Sequence, residues 1–207
     1  MTIFEDLGVS IDQSLSFENH INKICAKANQ RSALIFKWFT SREPALLVRA
    51  FITYVRPLLE YASCVWSPFQ LHFIDKIESV QRRFSKRLHG LSAYSYDARL
   101  AYLGIERLEV RRLKADLIMY YKILHNFIDV DSKMFFSLVN SGVTRGHPLK
   151  LKKPLCCTNS QLNNFSCRAI NVWNRLDVDI VMAINVNNFK SKLNLLNFSN
   201  DCKRTVT

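Results

Sequence analysis

Glycine and proline are scarce in this chain, five of each among 207 residues, so there are few places where a helix must break. That scarcity argues against a turn-rich sandwich. Together with leucine-rich stretches separated by charged faces, it favours a mainly α fold. No stretch reaches the roughly 18 uninterrupted apolar residues of a membrane helix, because Arg49 and Arg56 interrupt the most apolar region, 45–65. No membrane partner is therefore expected. The first six residues, Met1 to Asp6, lack the basic start and the apolar run of a secretory signal. The six cysteines are accordingly expected in a reducing, intracellular compartment, nucleus or cytoplasm, without disulfides.

The signatures of enzyme chemistry are missing as well. Two-metal phosphoryl transfer needs carboxylates gathered at one point, and there is no Asp-Asp pair. The nearest approximations are Asp129-Val130-Asp131 and Asp177-Val178-Asp179, both at expected helix ends, where an acid caps a helix or favours its positive terminus. His147, Cys156, Cys157, Cys167 and Cys202 are ligand types without the paired spacing of a zinc module. Cys25 and Cys64 lie in apolar stretches and read as small core residues. Gly-rich phosphate loops, nucleophile elbows and His-Glu-x-x-His pairs do not occur. No catalytic residue, metal site or cofactor is expected in this chain.

What is present is a 48% hydrophobic, 12% aromatic composition and a formal net charge of +12. The first is enough for a real core. The second draws the chain toward polyanions through counterion release. Leu7-Gly8-Val9-Ser10-Ile11-Asp12 alternates apolar with small or polar residues and suggests a short strand, for which no partner strand is evident. Ser16 is placed to cap a helix over 17–39, with Phe17, Ile21, Ile24, Ala28, Ile35 and Trp38 on one stripe. Pro44 suits the first turn of a second helix to about residue 55, which Pro57 should end or kink. A third is expected over 71–88, closed by Gly90, with Phe73, Ile77, Val80, Phe84 and Leu88 inward. A short helix over 96–103, stopped by Gly104, precedes a long one over 106–125 with Val110, Leu113, Leu117, Tyr120, Tyr121 and Leu124 inward. Residues 140–164 break the pattern and suggest a loop, or a small hairpin around 145–157. Helices over 165–176 and 187–196 follow.

At about 100° per residue, Lys76, Arg82, Arg83 and Lys86 gather on an arc away from the apolar side of the third helix, with Arg87 at its border. Arg107, Arg111, Arg112 and Lys114 lie off the apolar stripe of the long helix. Between residues 76 and 114 there are ten Lys or Arg against four Asp or Glu, so about half of the net charge sits there. The plain alternative is a solvated helix face. Neighbouring Tyr94, Tyr96 and Tyr102 could lie against sugar or base, which strengthens the nucleic-acid reading. A second basic patch holds Arg145, Lys150, Lys152 and Lys153.

Taken in order, a series of segments resembles the region following the polymerase palm in jockey-like non-LTR retrotransposon reverse transcriptases. They are Leu7-Gly8-Val9 with Asp12, Leu15-Ser16-Phe17 with His20-Ile21, Val55-Arg56-Pro57-Leu58-Leu59-Glu60-Tyr61-Ala62-Ser63 with Val65-Trp66-Ser67-Pro68, and Ile77-Glu78-Ser79-Val80-Gln81-Arg82-Arg83-Phe84. The series continues through Tyr94-Ser95-Tyr96 with Arg99-Leu100, Leu108-Glu109-Val110-Arg111-Arg112-Leu113 with Asp116-Leu117, and Tyr121-Lys122-Ile123-Leu124. Thr144-Arg145-Gly146-His147, Val172-Trp173-Asn174-Arg175-Leu176 and Phe189-Lys190 complete it.

The resemblance implies a palm-edge remnant over 1–14, a thumb-like helical domain over 15–139, the loop or hairpin over 140–164 and a C-terminal helical segment over 165–207. It implies a mainly α helical bundle whose one short N-terminal strand is left from the palm sheet. It also implies a non-catalytic piece of an RNA-directed DNA polymerase. The family's Ala-Asp-Asp motif, which would hold magnesium, belongs to an upstream palm, so those carboxylates match no position here. The implied partners are an RNA–DNA or DNA duplex and the missing palm and fingers. The expected contacts are the cations of the two basic helix faces, Lys76, Arg82, Arg83, Lys86, Arg87, Arg107, Arg111, Arg112 and Lys114. A helical protein-interaction module, or a remnant without function, is the alternative. One departure is Asp177, where the family often carries proline, which leaves the local turn open.

Overall fold

The structure, a computed structural model, describes residues 3–139 and 146–202. It is mainly helical with one two-stranded antiparallel sheet. The expected strand begins later than its sequence suggests and has a partner: β1 (Ile3–Asp6) pairs with β2 (Val9–Asp12), Asp6 facing Val9 and Ile3 facing Asp12. Leu7 and Gly8 are the turn rather than the strand, at φ 45° and 81°. Two left-handed residues match the right-handed twist of a hairpin. No β1 residue is buried, whereas Val9 and Asp12 are.

The chain falls into two compact units, Met1–Arg112 and Leu113–Thr207. In the first, α1 (Glu18–Trp38) buries Ile21, Ile24, Cys25, Ala28 and Ile35 at helical spacing. Ser16 accepts from the Glu18 N–H at 3.3 Å through its hydroxyl, as the expected cap would. Phe17 occupies the N-cap position, in the left-handed region, and the Asp12 carboxylate fastens the two residues ahead of the helix. Asp12 accepts from the Ser16 and Phe17 N–H groups at 3.1 and 2.9 Å and from the Ser16 hydroxyl at 2.9 Å. Burial alone would raise this carboxyl, but these hydrogen bonds and one from the Ser14 hydroxyl outweigh it and bring it down to about 2. Trp38, expected inward, is 71% exposed. It sits in the last turn, and Phe39, where the backbone becomes extended, packs on the core instead.

α2 (Pro44–Tyr54) has its proline in the first turn and buries Leu47, Val48, Ala50 and Phe51. Pro57 does end that helix, but two short helices follow, α3 (Arg56–Glu60) and α4 (Ser63–Trp66). Trp66 at the end of α4 is buried, stacks obliquely on His20 and donates to the Tyr61 carbonyl at 2.7 Å. α5 (Leu71–Lys86) buries Phe73, Ile77, Val80 and Phe84, as its spacing predicts, and α6 spans Tyr96–Leu103 between the Ser95 cap and Gly104. α7 spans Leu108–Leu124.

In the second unit the aromatic residues make the core. Tyr120, Tyr121, Trp173 and Phe189 are all fully buried, and Tyr121 stacks on Phe189 with ring centroids 4.3 Å apart. The expected helix over 165–176 is broken at Ala169 into α9 (Phe165–Arg168) and α10 (Ile170–Arg175). It is preceded by α8 (Asn159–Leu162) and followed by α11 (Val178–Val181) and α12 (Val186–Asn194). Asp177 is the N-cap of α11 at φ −68°, the angle proline would impose, so the turn forms here with an aspartate. The irregular stretch pairs earlier than expected, at a single antiparallel bridge of Leu138 with Leu151. Residues 140–145, Arg145 among them, lie outside the described residues. No helix among the described residues is long and apolar enough to cross a membrane.

Candidate nucleic-acid interface

The polar residues of α5 divide by direction. On one side Glu78 and Gln81 are buried and hold the neighbouring elements. Glu78 accepts from the Leu108 N–H at 3.0 Å, at the start of α7, and from the Tyr96 hydroxyl. Gln81 donates to the Tyr96 hydroxyl and the Glu106 carbonyl, both at 3.0 Å. Burial pushes the Glu78 carboxyl up despite these donors and nearby arginines. Burial also raises the Tyr96 hydroxyl, and the Glu78 charge raises it further. Arg99, itself buried, ties α6 back to α5 through the Ser85 hydroxyl at 3.1 Å and reaches the Tyr94 carbonyl at 2.6 Å. Tyr96 is thus part of the scaffold, while Tyr94 and Tyr102 remain exposed.

On the wet side, Lys76, Arg83, Lys86 and Arg87 are exposed and Arg82 is half-buried. Lys76 bonds to the Asn22 side chain of α1. Arg82 lies over the Tyr96 ring and 3.8 Å from Asp75, an acid at the very edge of the basic stretch. Arg87 lies over the Phe36 ring, 4.2 Å from its centroid. Together Arg83, Lys86 and Arg87 line a concavity of about 500 Å³ between α5 and α1, with Asn29, Ser32, Phe36, Val80 and Phe84 completing it. No acid lines it. Ser32 is 7% exposed, and its hydroxyl has no hydrogen-bond partner among the described residues. A buried hydroxyl of that kind costs free energy unless something supplies an acceptor or donor. Its place beside three cations fits an oxyanion.

The cations expected on the long helix are elsewhere. Arg112 is 2% exposed and Lys114 is 6% exposed, so neither forms a surface for a duplex. Lys114 donates to Asn194 of α12 at 3.1 Å within the second unit. Arg107 is committed to Asp97 at 2.6 Å, and Arg111 makes a two-pronged pair with Glu60, one prong at 3.0 Å. The Glu60 partnership raises the Arg111 guanidinium. These four are structural cations, and a spacing argument that assumes one wet face misassigns them. Sequence reasoning missed Asn29, Ser32 and Phe36. Asn29 and Ser32 are polar positions on a helix read only for its apolar stripe.

In the second unit, Lys152 and Lys153 are exposed along a second concavity of about 440 Å³ with Lys133, Phe135 and Leu155. His147 is buried with Nε2 3.0 Å from the Trp173 carbonyl, and burial lowers its basicity. Among the described residues no group of three or more His, Cys, Asp or Glu side chains gathers as a metal site would require. Asp131 caps the 3₁₀ turn Ser132–Met134 by accepting from the Lys133 N–H.

Compared with known proteins, the chain is similar to an uncharacterized protein of Caenorhabditis elegans, 27% identical over 178 residues. The alignment covers 80% of this chain and 90% of that protein, so the same region makes up nearly all of the relative. No family model matches the chain. No solved structure matches it.

Proposed function

We propose that this chain is the thumb-side region of a retrotransposon RNA-directed DNA polymerase, which holds a template–primer duplex by its phosphates and does not polymerise by itself. The observation that carries the binding half of this reading is the α1–α5 groove. Three cations line it beside a buried hydroxyl, and among the described residues no acid faces them and no partner meets that hydroxyl. Groups of that kind meet phosphate oxygens regardless of base sequence, so binding is expected to be sequence-independent and steeply salt-dependent. The polymerase half rests on the ordered motifs alone, and on this reading the magnesium-holding carboxylates belong to a palm outside these residues.

The test is a salt titration of binding to an RNA–DNA hybrid. Each phosphate contact contributes roughly 0.9 to the slope of log affinity against log salt. Reversing Arg83, Lys86 and Arg87 to Glu should therefore weaken binding and lower the slope by up to about 3. Ser32→Ala should weaken binding at every salt concentration while leaving the slope unchanged. A wild-type affinity no greater than that of a basic control protein of equal charge would instead indicate a surface for an acidic protein partner. Primer extension by the purified chain alone would overturn the non-catalytic reading.

A further inference from the structure

None of the six cysteines is disulfide-bonded, yet two of them touch. The Sγ atoms of Cys156 and Cys167 are 3.9 Å apart, inside the second unit. Cys167 is the third residue of α9 and is only 7% exposed. Cys156 is half-buried in the irregular segment ahead of α8, its thiol also 3.6 Å from the Pro154 carbonyl. The segment between them is short and well fastened. Thr158 and Gln161 form a reciprocal capping box at α8, and Asn164 caps α9 through the Ser166 N–H at 2.6 Å. Those caps hold the ends of the loop, so the two sulfurs remain neighbours rather than meeting by chance. The next cysteine, Cys157, is exposed.

We infer that Cys156 and Cys167 form a reversible disulfide when the protein meets an oxidised low-molecular-weight disulfide such as glutathione disulfide. Closure needs the sulfurs to approach from contact to bonding distance, roughly 2 Å, and rotation of the less buried Cys156 side chain brings its sulfur toward Cys167. The electrons balance in two exchanges. The Cys156 thiol gives its proton to solvent and its thiolate attacks one sulfur of the glutathione disulfide. That S–S bond breaks, and one glutathione leaves as a thiolate and takes up a proton. The Cys167 thiol then loses its proton and attacks the Cys156 sulfur, expelling the second glutathione. Two protein thiols are oxidised and one glutathione disulfide is reduced to two thiols.

The order of attack follows from the surroundings. Burial pushes the Cys167 thiol up to about 11, and the adjacent Cys156 adds to this, so Cys156 is the entry point and Cys167 the resolving sulfur. Closure would tie the Lys152, Lys153 and Leu155 wall of the second concavity to the helix that carries Ser166 on its other side. The oxidation state would then set how freely that wall moves. This inference is independent of the nucleic-acid reading.

The experiment uses the full chain, reduced and then equilibrated with glutathione disulfide. The expected result is the loss of two of the six titratable thiols, with a mass decrease of about 2 Da for the two hydrogens removed. Non-reducing digestion should join the peptides that carry Cys156 and Cys167. Cys157→Ser should leave the link intact. Cys167→Ser should trap a glutathione adduct on Cys156, a readout that a mere folding defect would not give. A wild-type chain that keeps all six thiols, carries an unresolved glutathione adduct, or links through Cys157 instead would overturn the inference.

Discussion

In the first unit the arginines of α5 stay at the rim of a groove, where Arg83 and Arg87 face solvent and no acid lines the concavity. In the second unit one arginine is folded inward. Arg168 makes a two-pronged pair with Asp116, both contacts 2.7 Å, and the Asp116 side chain is almost wholly buried. An uncompensated cation at a wet rim contributes to binding. A cation paired in a core holds elements in place, and removing its partner leaves a buried charge. The two sites therefore turn the same residue type to opposite ends, as Arg83 and the buried Arg99 do within the first unit itself, and neither composition nor net charge distinguishes them.

The hardest way to break this comparison is to remove the inward acid. Asp116→Ala should cost about 3–5 kcal/mol of stability by taking this carboxylate from Arg168, whose side chain is only 14% exposed, read as a lowered denaturant midpoint. A loss under about 1 kcal/mol would place this pair with ordinary surface pairs. Next comes the buried acid of the first unit. Glu78→Ala strips the acceptor from the Leu108 N–H and the Tyr96 hydroxyl and should cost about 1–3 kcal/mol.

Two carboxyls of the first unit also predict opposite pH responses. Because Glu78 is raised in the fold above 4.5, the native state holds its proton more tightly than the unfolded chain. Its contribution to stability thus falls as pH rises from 4.5 through the native value. Glu78→Gln should remove that falling limb. Asp12 is depressed from 3.8 to about 2, so its contribution is present above 3.8 and is lost as pH falls toward 2. Asp12→Ala should cost about 1–2 kcal/mol at neutral pH through the lost hydrogen bonds to Ser16 and Phe17 and little at pH 2. An unchanged acid limb in that variant would show that Asp12 does not hold the start of α1. The smallest effect is expected at the exposed edge of the second unit. Arg175→Ala, which removes the surface pair with Asp201, should change stability by no more than about 0.5–1 kcal/mol.

Much of the first unit was legible because α5 is strongly two-faced. Phe73, Ile77, Val80 and Phe84 fall on one side, and Arg83, Lys86 and Arg87 on the other. α6 was legible from its Ser95 start and Gly104 stop. The long helix was not legible in the same way. Alongside Leu117 and Tyr120 it buries Arg112, Lys114 and Asp116, and a single-stripe pattern assigns such charges to water. The short helices α3 and α4 are each under two turns, too brief for a periodicity to show. β1 carries no buried residue, so alternation could not announce it, and the sign of the hairpin was Gly8 following Leu7. The Val172 to Leu176 motif was visible as a resemblance, but its physical role was not. Its Trp173 donates to the Leu149 carbonyl at 2.8 Å, a tertiary partner that spacing does not reveal.

Asn174 of that motif has a further consequence. Its primary amide accepts from the Leu151 N–H and donates to the Leu151 carbonyl, each at 2.8 Å. It therefore imitates one peptide unit of an adjoining strand. The clasp reads main chain only, so the identities of Lys150 and Lys152 on either side are free to drift without loosening it. Asn174→Asp, isosteric but unable to donate, would turn a mutual grip into a repulsion between two oxygens.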